Sequence, residues 1–251
     1  MIFRTEYMQQ LQAFKDSKLI KVVTGLRRSG KSTLLEMFRD ELLKGGVAAE
    51  RMQYINFELM KYDSVRSYKQ LYELVLPSIR PNEKNYLFFD EIQQVEGWEK
   101  ALNSLSVEFD TDIYVTGSNA RLLSSELATL ISGRYVEIKM LPLSFKEYYG
   151  YYQNDGQSRE DIFNEYLKYG GLPQLLSVPH EEKTISSVLS GIYDTVILKD
   201  VIARNNLRDT DMLKRIFAFV CGNVGSITSS NSIANYIARE AKLDKVVRPA
   251  T

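Results

Sequence analysis

Two short stretches carry residue types whose spacing could do chemistry. The first is Gly25-Leu26-Arg27-Arg28-Ser29-Gly30-Lys31-Ser32. Its two glycines let a loop take turn conformations that a Cβ would obstruct. Backbone N–H groups of Arg28, Ser29 and their neighbours can then converge on an anion. A helix starting at Lys31 adds its positive N-terminal end. Lys31 supplies a point charge for β- and γ-phosphates, and Ser32 a hydroxyl for Mg²⁺. The second stretch is Tyr86-Leu87-Phe88-Phe89-Asp90-Glu91. An apolar run ending in two acids reads as a buried parallel strand that delivers carboxylates to its C-terminal end. Downstream of a phosphate loop, Asp90 is the expected holder of Mg²⁺. Glu91 is then placed to polarise an attacking water. Acids also end strands without any chemistry. The functional reading rests on the order: phosphate loop, one strand–helix unit, then the acid pair.

These stretches need elements to position them. Leu19-Ile20-Lys21-Val22-Val23-Thr24 is a β-branched strand ahead of the loop, and Lys31-Ser32-Thr33-Leu34-Leu35-Glu36-Met37-Phe38 opens a helix that Gly45-Gly46 stops. Residues 4–16 form an amphipathic helix with Tyr7, Leu11 and Phe14 on one stripe. That stripe either packs into the core or covers a nucleotide base. Met52-Gln53-Tyr54-Ile55-Asn56-Phe57 is a second strand. Asn56 and Glu58 sit where ligands of parallel sheets gather, although ordinary strand-end polar residues would look the same. Helices are expected over 64–79, 97–109 and 122–131, with Trp98 as a packing residue. A fourth strand, Asp112-Ile113-Tyr114-Val115-Thr116, runs into Gly117-Ser118-Asn119. A polar residue there can touch a γ-phosphate or orient water, and turn chemistry alone would choose the same residues. A fifth strand covers 134–138. Five strands alternating with helices predict an α/β fold: a five-stranded parallel sheet with helices on both faces and the phosphate site at the strands' carboxyl ends.

From Pro142 the pattern becomes helical only. Phe145, Tyr148, Tyr149, Tyr151 and Tyr152 read as packing, because stacking on nucleic acid needs interleaved basic residues. Tyr169-Gly170-Gly171-Leu172-Pro173 interrupts the helices, and His180 falls in a loop or at a helix start. Helices follow over 181–199 and 209–220, with Cys221 expected to be a small buried hydrophobe. The Ser/Thr-rich turn and capped helix over 225–238 resemble the start of a winged helix-turn-helix. About a dozen residues follow Ala238, too few for a third helix and a β-wing. The segment from Arg239 onward matches no expected pattern, and the sequence reads as a fragment of a longer protein. The expected divisions are a catalytic core over 1–141, a helical lid over 142–205 and an incomplete winged helix over 206–251.

Charge and cysteine usage narrow the classes. The 32 basic and 32 acidic residues cancel, so no global field pulls the chain toward nucleic acid or anionic membrane. One cysteine and one histidine make neither an internal disulfide nor a zinc cluster. No apolar run approaches ~20 residues, so no membrane span is expected. The N-terminus lacks signal-peptide organisation, and a cytoplasmic protein is the expectation.

The loop, the Leu-Phe-Phe-Asp-Glu-Ile-Gln strand, Tyr-Val-Thr-Gly-Ser-Asn-Ala, Ser-Gly-Arg-Tyr-Val-Glu-Ile and Leu-Pro-Leu-Ser-Phe-Lys-Glu-Tyr resemble a prokaryotic AAA+-type ATPase family. That family is close to archaeal-type and STAND signalling ATPases, and more distantly to origin-recognition ATPases. The resemblance covers almost the whole chain. It implies a P-loop core, a helical lid and a winged helix, normally followed by a nuclease-like C-terminal domain. ATP and Mg²⁺ are the implied ligands, with Ser32 and Asp90 at the metal and Glu91 and Lys31 at the reaction. Thr33 would lie near the α-phosphate, beside Gly25, Arg28, Ser29 and Gly30. Ser118 and Asn119 occupy the sensor position. Pro173 matches a Gly-x-Pro lid motif that approaches adenine. Arg134 falls where a γ-phosphate-sensing arginine could come from, in cis or from a neighbouring subunit of a homo-oligomer. A surface arginine paired with Glu137 or another acid is the alternative, and Arg27, Arg28 and Arg121 are competing arginines. The implied function is ATP hydrolysis to ADP and phosphate as a conformational switch. A DNA-binding or DNA-remodelling ATPase working through the winged helix is the alternative, with DNA a partner of the full-length protein. A small-molecule kinase shares the loop but usually lacks an acid pair followed by a sensor strand and winged helix.

Overall fold

The computed structural model describes residues 2–117, 133–153, 156–196, 201 and 210–247, the last eight of these as backbone only. In chain order, α1 is Thr5–Ala13, β1 Ile20–Gly25, α2 Lys31–Lys44 and β2 Met52–Asn56. Then come α3 Tyr68–Val75, β3 Asn85–Asp90, α4 Trp98–Glu108, β4 Thr111–Thr116 and β5 Tyr135–Met140. The helical part follows with α5 Phe145–Tyr152, α6 Arg159–Tyr169, α7 Glu182–Asp194, α8 Thr210–Gly222 and α9 Ser230–Val247. The chain divides into two compact units, Met1–Ile185 and Ser186–Thr251.

The described strands form one five-stranded parallel sheet in the order β2-β3-β4-β1-β5. Strand β4 therefore lies between β1, which leads into the glycine loop, and the acid-bearing strand β3. Both faces are covered, which is why β1, β3 and β4 are buried along their whole length. Leu87 and Phe89 face one layer with Leu71, Val75, Leu102 and Leu105 of α3 and α4. Tyr86 and Phe88 alternate to the other face, against Leu11 of α1 and Leu34, Leu35 and Phe38 of α2. Trp98 belongs to the first layer, as a packing residue should.

Helix α3 starts at Tyr68, four residues later than the pattern predicts. Ser67 and Gln70 close a capping box there, which fixes the helix start. The preceding residues are held off-helix by backbone bonds, Glu96 N to Arg66 O at 2.9 Å and Tyr68 N to Glu96 O at 2.9 Å.

At the strands' N-terminal edge, Lys21 and Asp112 form an ion pair with both side chains fully buried. Asp112 Oδ2 also accepts from Asp16 N and the Tyr114 hydroxyl, each at 2.8 Å. Burial pushes the Lys21 pKa down, and Asp112 opposes that shift.

The first unit also contains α5, α6 and the start of α7. Leu143, Tyr148 and Ile162 form a third core, with Phe145, Tyr149, Tyr152 and Tyr166 against it. His180 sits in the loop before α7, with Nε2 3.3 Å from the Tyr148 hydroxyl. In the second unit Cys221 is exposed, not buried, because α8 has no buried residue among those described. The segment from Arg239 also differs from expectation: its backbone continues α9 as helix to Val247.

Gly25 ends β1 at φ 146°, paired in register with Met140. A Cβ on Gly25 would lie 2.2 Å from the Met140 carbonyl oxygen. Gly46 has a positive φ too, 88°, but open space around the Cβ position. Gly46→Ala should therefore carry backbone strain alone, about 1 kcal/mol. Gly25→Ala adds a backbone clash and should cost about 3 kcal/mol. Urea unfolding of the two variants checks the ordering; equal costs would show that β5 yields freely at Met140.

Candidate functional site

The loop between β1 and α2 is shaped by backbone conformation. Arg28 takes φ 67°, an uncommon value for a residue with a side chain, and Gly30 caps α2 at φ 95°. This leaves the first turn of α2 open toward the cleft. Lys31 is only 4% exposed, and its Nζ donates to the carbonyl oxygens of Gly25 at 3.3 Å and Leu26 at 3.0 Å. Burial lowers its pKa, while Glu91 and Asp90 nearby act to raise it. The ammonium is thus desolvated and held by neutral acceptors of its own loop.

Asp90, the last residue of β3, is fully buried. Its Oδ1 accepts from Ser32 Oγ at 3.0 Å and from Thr116 Oγ1. Its Oδ2 accepts from Asn56 Nδ2 at 3.0 Å and from the Tyr54 hydroxyl at 3.3 Å. Burial raises the Asp90 pKa, and the hydroxyl hydrogen bonds counter it. Glu91 then turns into the left-handed region at φ 54°, ending the strand. Its backbone N–H donates to Thr116 Oγ1 at 3.0 Å, and Gln93 Nε2 donates to its Oε2. The Thr116 hydroxyl therefore ties both acids to the end of β4.

Two cavities meet over this loop. A cleft of about 490 Å³ is lined by Arg27, Arg28, Lys31, Ser32, Glu58 and Glu91. A more apolar cavity of about 460 Å³ is walled by Met37, Met140, Leu143 and Leu176, with Arg4 and Tyr151 at its polar edge. Gly30, Thr33 and Pro173 line both. Pro173 is brought there by a close backbone approach. Leu143 N donates to the Gly171 carbonyl at 2.6 Å, and a Cβ on Gly171 would lie 2.2 Å from Leu143 O. Arg4 closes the other side. It is 4% exposed, pairs with Glu147 of α5 at 2.7 Å, and donates to Leu141 O at 2.9 Å and Ser29 O at 3.4 Å.

The structure gathers Gly25, Arg28, Ser29, Gly30, Lys31, Ser32, Thr33, Asp90, Glu91 and Pro173 around this pair of cavities. Ser118, Asn119 and Arg121 lie outside the described residues. Arg134 does not join the site. Its carbonyl accepts from Ile20 N at 2.9 Å, and Tyr135 pairs with Ile20 at the start of β1. The loop begins five residues further along β1, roughly 17 Å away at strand rise. That excludes a contact in cis. The reading of Tyr7 or Leu11 as a base cover is also corrected. Leu11 is in the core, and the Tyr7 hydroxyl accepts from Leu141 N at 3.1 Å. The apolar cavity is closed instead by residues ahead of α1, Ile2 and Arg4. Sequence reasoning passed over Thr116, Tyr54, Gln93 and Arg4. For Thr116 a signal existed, since it is the last residue of the strand that runs toward Gly117.

The sequence model of a family described as an AAA domain matches residues 17–149. The chain belongs to this AAA domain family. A second model, for a domain of unknown function, matches residues 160–247. An uncharacterized protein of Haemophilus influenzae is 47% identical over 245 residues, covering 96% of this chain and 60% of that protein. An uncharacterized protein of Methanocaldococcus jannaschii is 29% identical over 232 residues, covering 87% of this chain and 50% of that one. The chain thus spans half to three-fifths of these relatives. Among solved structures, a Walker-type ATPase of Pyrococcus abyssi superposes with a TM-score of 0.63 at 15% identity, covering 96% of this chain and 84% of that one. That likeness is one of fold.

The AAA domain places its buried acid where four donors already hold it, and the acid still carries a burial penalty. A carboxyl whose folded pKa is raised destabilises the fold when ionised, and the penalty is relieved as pH falls through that pKa. In Asp90→Asn, an amide nitrogen at the Oδ1 position can donate to the Ser32 and Thr116 hydroxyls, which rotate to accept. The variant should raise the melting temperature of the ligand-free protein at pH 7 by about 2–4 °C. The advantage should shrink as pH falls from neutral through the raised pKa of the native carboxyl, above the ordinary carboxylate range, where Asp90 takes up its proton. Calorimetric melts across that range check both the sign and the pH trend.

Proposed function

We propose that this AAA domain binds Mg²⁺·ATP and hydrolyses it to ADP and phosphate. Cleavage acts as a switch between the sheet and the helical segment that carries Pro173. The observation that carries this reading is that Lys31, a buried ammonium, and Ser32 line one open cleft, with the buried carboxylate of Asp90 bonded to Ser32 at 3.0 Å behind it. The donor set fits a hard dication: a hydroxyl and a carboxylate converge, and that carboxylate bears a burial penalty that its hydrogen bonds offset only in part. Ser32 and Asp90 would hold Mg²⁺, which neutralises charge on the phosphate oxygens.

The chain's own groups account for the rest. Lys31 exchanges the Gly25 and Leu26 carbonyls for phosphate oxygens, gaining charge-assisted bonds in place of neutral ones. The α2 N-terminus and loop N–H groups receive the remaining oxygens. Glu91 accepts a proton from the attacking water as its oxygen bonds to the γ-phosphorus. The bond from that phosphorus to the β–γ bridging oxygen breaks, and ADP leaves with the electron pair. Thr116 and Gln93 hold Glu91 in place from its backbone and its carboxylate. The apolar cavity takes the base, next to Pro173. The alternative, ATP-controlled DNA binding, would act through the α8–α9 helix pair. Turnover measured with and without duplex DNA separates the two.

Lys31→Ala should reduce ATP affinity by about 100-fold or more, since it removes a charged phosphate contact. Glu91→Gln should keep ATP affinity but lower turnover by at least about 100-fold. Calorimetry and phosphate release measure the two effects. Full turnover in Glu91→Gln would remove the base from this role.

Arg134 is exposed at the sheet edge opposite the loop, which suits an arginine offered to a neighbouring copy. In that role it contributes ~10³-fold to rate. Turnover per subunit should rise with protein concentration. Mixing Arg134→Ala with Glu91→Gln should restore activity at interfaces that join an intact base to an intact arginine. Concentration-independent turnover with no rescue would reject the neighbour role.

A further inference from the structure

The reaction above leaves Gln174 without a task. It follows Pro173 in the short 3-10 turn Pro173–Ser177 and lines the phosphate-side cleft with Lys31 and Ser32. Its backbone is fixed, since Ser177 Oγ donates to its carbonyl at 2.7 Å. Its side-chain Oε1 is buried and has no hydrogen-bond partner among the described residues. A buried acceptor is costly to leave unpaired, and such groups in native sites are usually completed by something that binds.

The chemistry of the missing donor is restricted. In the amide orientation of the structure Oε1 faces its site as an acceptor, and phosphate oxygens, which at neutral pH only accept hydrogen bonds, do not satisfy it. The amine of a base lies with the base, in the apolar cavity across Pro173. The group that joins base to phosphates is the ribose, and its hydroxyls donate. It must cross the constriction that both cavities share at Gly30, Thr33 and Pro173. Gly30 and Pro173 face each other there: a Cβ on Gly30 would come into ordinary van der Waals contact with Pro173 Cγ, at 3.8 Å. Gln174 is the next residue along the wall.

We propose that the Gln174 side chain accepts a hydrogen bond from a ribose hydroxyl, so that the helical segment reads the sugar as well as the base. Gln174 is then a specificity residue for ribonucleotides over deoxyribonucleotides. This rests on the nucleotide reading of the cleft. It also gives the segment carrying Pro173 a polar contact that exists only when a ribonucleotide is bound. A donor on a metal-bound water is the competing explanation, and it would be blind to the sugar.

The test is calorimetric titration of the protein with ATP, 2′-deoxy-ATP and 3′-deoxy-ATP, each with Mg²⁺. ATP should bind about tenfold tighter than at least one deoxy analogue, because a site built around a hydroxyl loses that bond and leaves its acceptor buried. In Gln174→Leu, ATP should weaken about tenfold to the level of the disfavoured analogue, and the preference should fall to about one. Lys31→Ala should weaken all three nucleotides alike. Wild-type protein that binds all three equally overturns the proposal while leaving the nucleotide site standing, as does a Gln174→Leu variant that keeps the preference. Absence of binding by any of the three would overturn the nucleotide reading beneath it. The wild-type comparison decides even if the variant folds poorly.

Discussion

The carboxyl end of the sheet is arranged around one buried carboxylate. Asp90 draws a donor from each neighbour: Tyr54 and Asn56 from β2, Thr116 from β4 and Ser32 from α2. Such a group is expensive to desolvate, and those donors offset part of the cost. In return it pins the ends of three adjacent strands and the first turn of the loop helix in one geometry. Thr116 extends the arrangement to Glu91 by accepting its backbone N–H. The site's precision thus comes from strand ends, which the twice-covered sheet holds rigid, and not from the loops beyond them.

The two buried lysines show how the same physics serves different ends. Lys21 has a carboxylate partner, Asp112, and that acid is itself satisfied by Asp16 and Tyr114. Removing either member would strand a charge, so the pair is structural. Among the described residues Lys31 donates to loop carbonyls alone, with Glu91 and Asp90 acting on its charge from a distance. Its surroundings are incomplete in the direction of the cleft, where an anion would complete them. Both lysines have lowered pKa values from burial. The chemistry of their partners distinguishes the roles.

The parts of the fold and site that could be read from sequence are those written in contiguous residues. The glycine loop before α2 and the apolar run before Asp90 each carry their own context, so the parallel sheet and its site end follow from them. Contacts that depend on which strands are lateral neighbours could not be read this way. Asn56 looked like any strand-end polar residue until β2 was placed beside β3. Thr116 gained its role from β4 lying between β1 and β3. The α3 start was misjudged because Val65 and Tyr68 continue a helical pattern while Arg66 is bonded to Glu96 instead. The exposed Cys221 escaped because residue type suggests burial only where a neighbouring element supplies it.

A parallel sheet gives the molecule a direction. The loop, the acids and the cavities lie at the strands' carboxyl ends, and Arg134 lies at their amino ends. A contact between copies that brings one end against the other joins unlike surfaces. It cannot be its own two-fold mate, so it cannot close as a symmetric pair. Each copy would give one arginine and receive one. Repetition of that step must either return on itself as a ring or wind on as a helix. In a ring every site is complete, while in an open helix the copy at one end always lacks its donor.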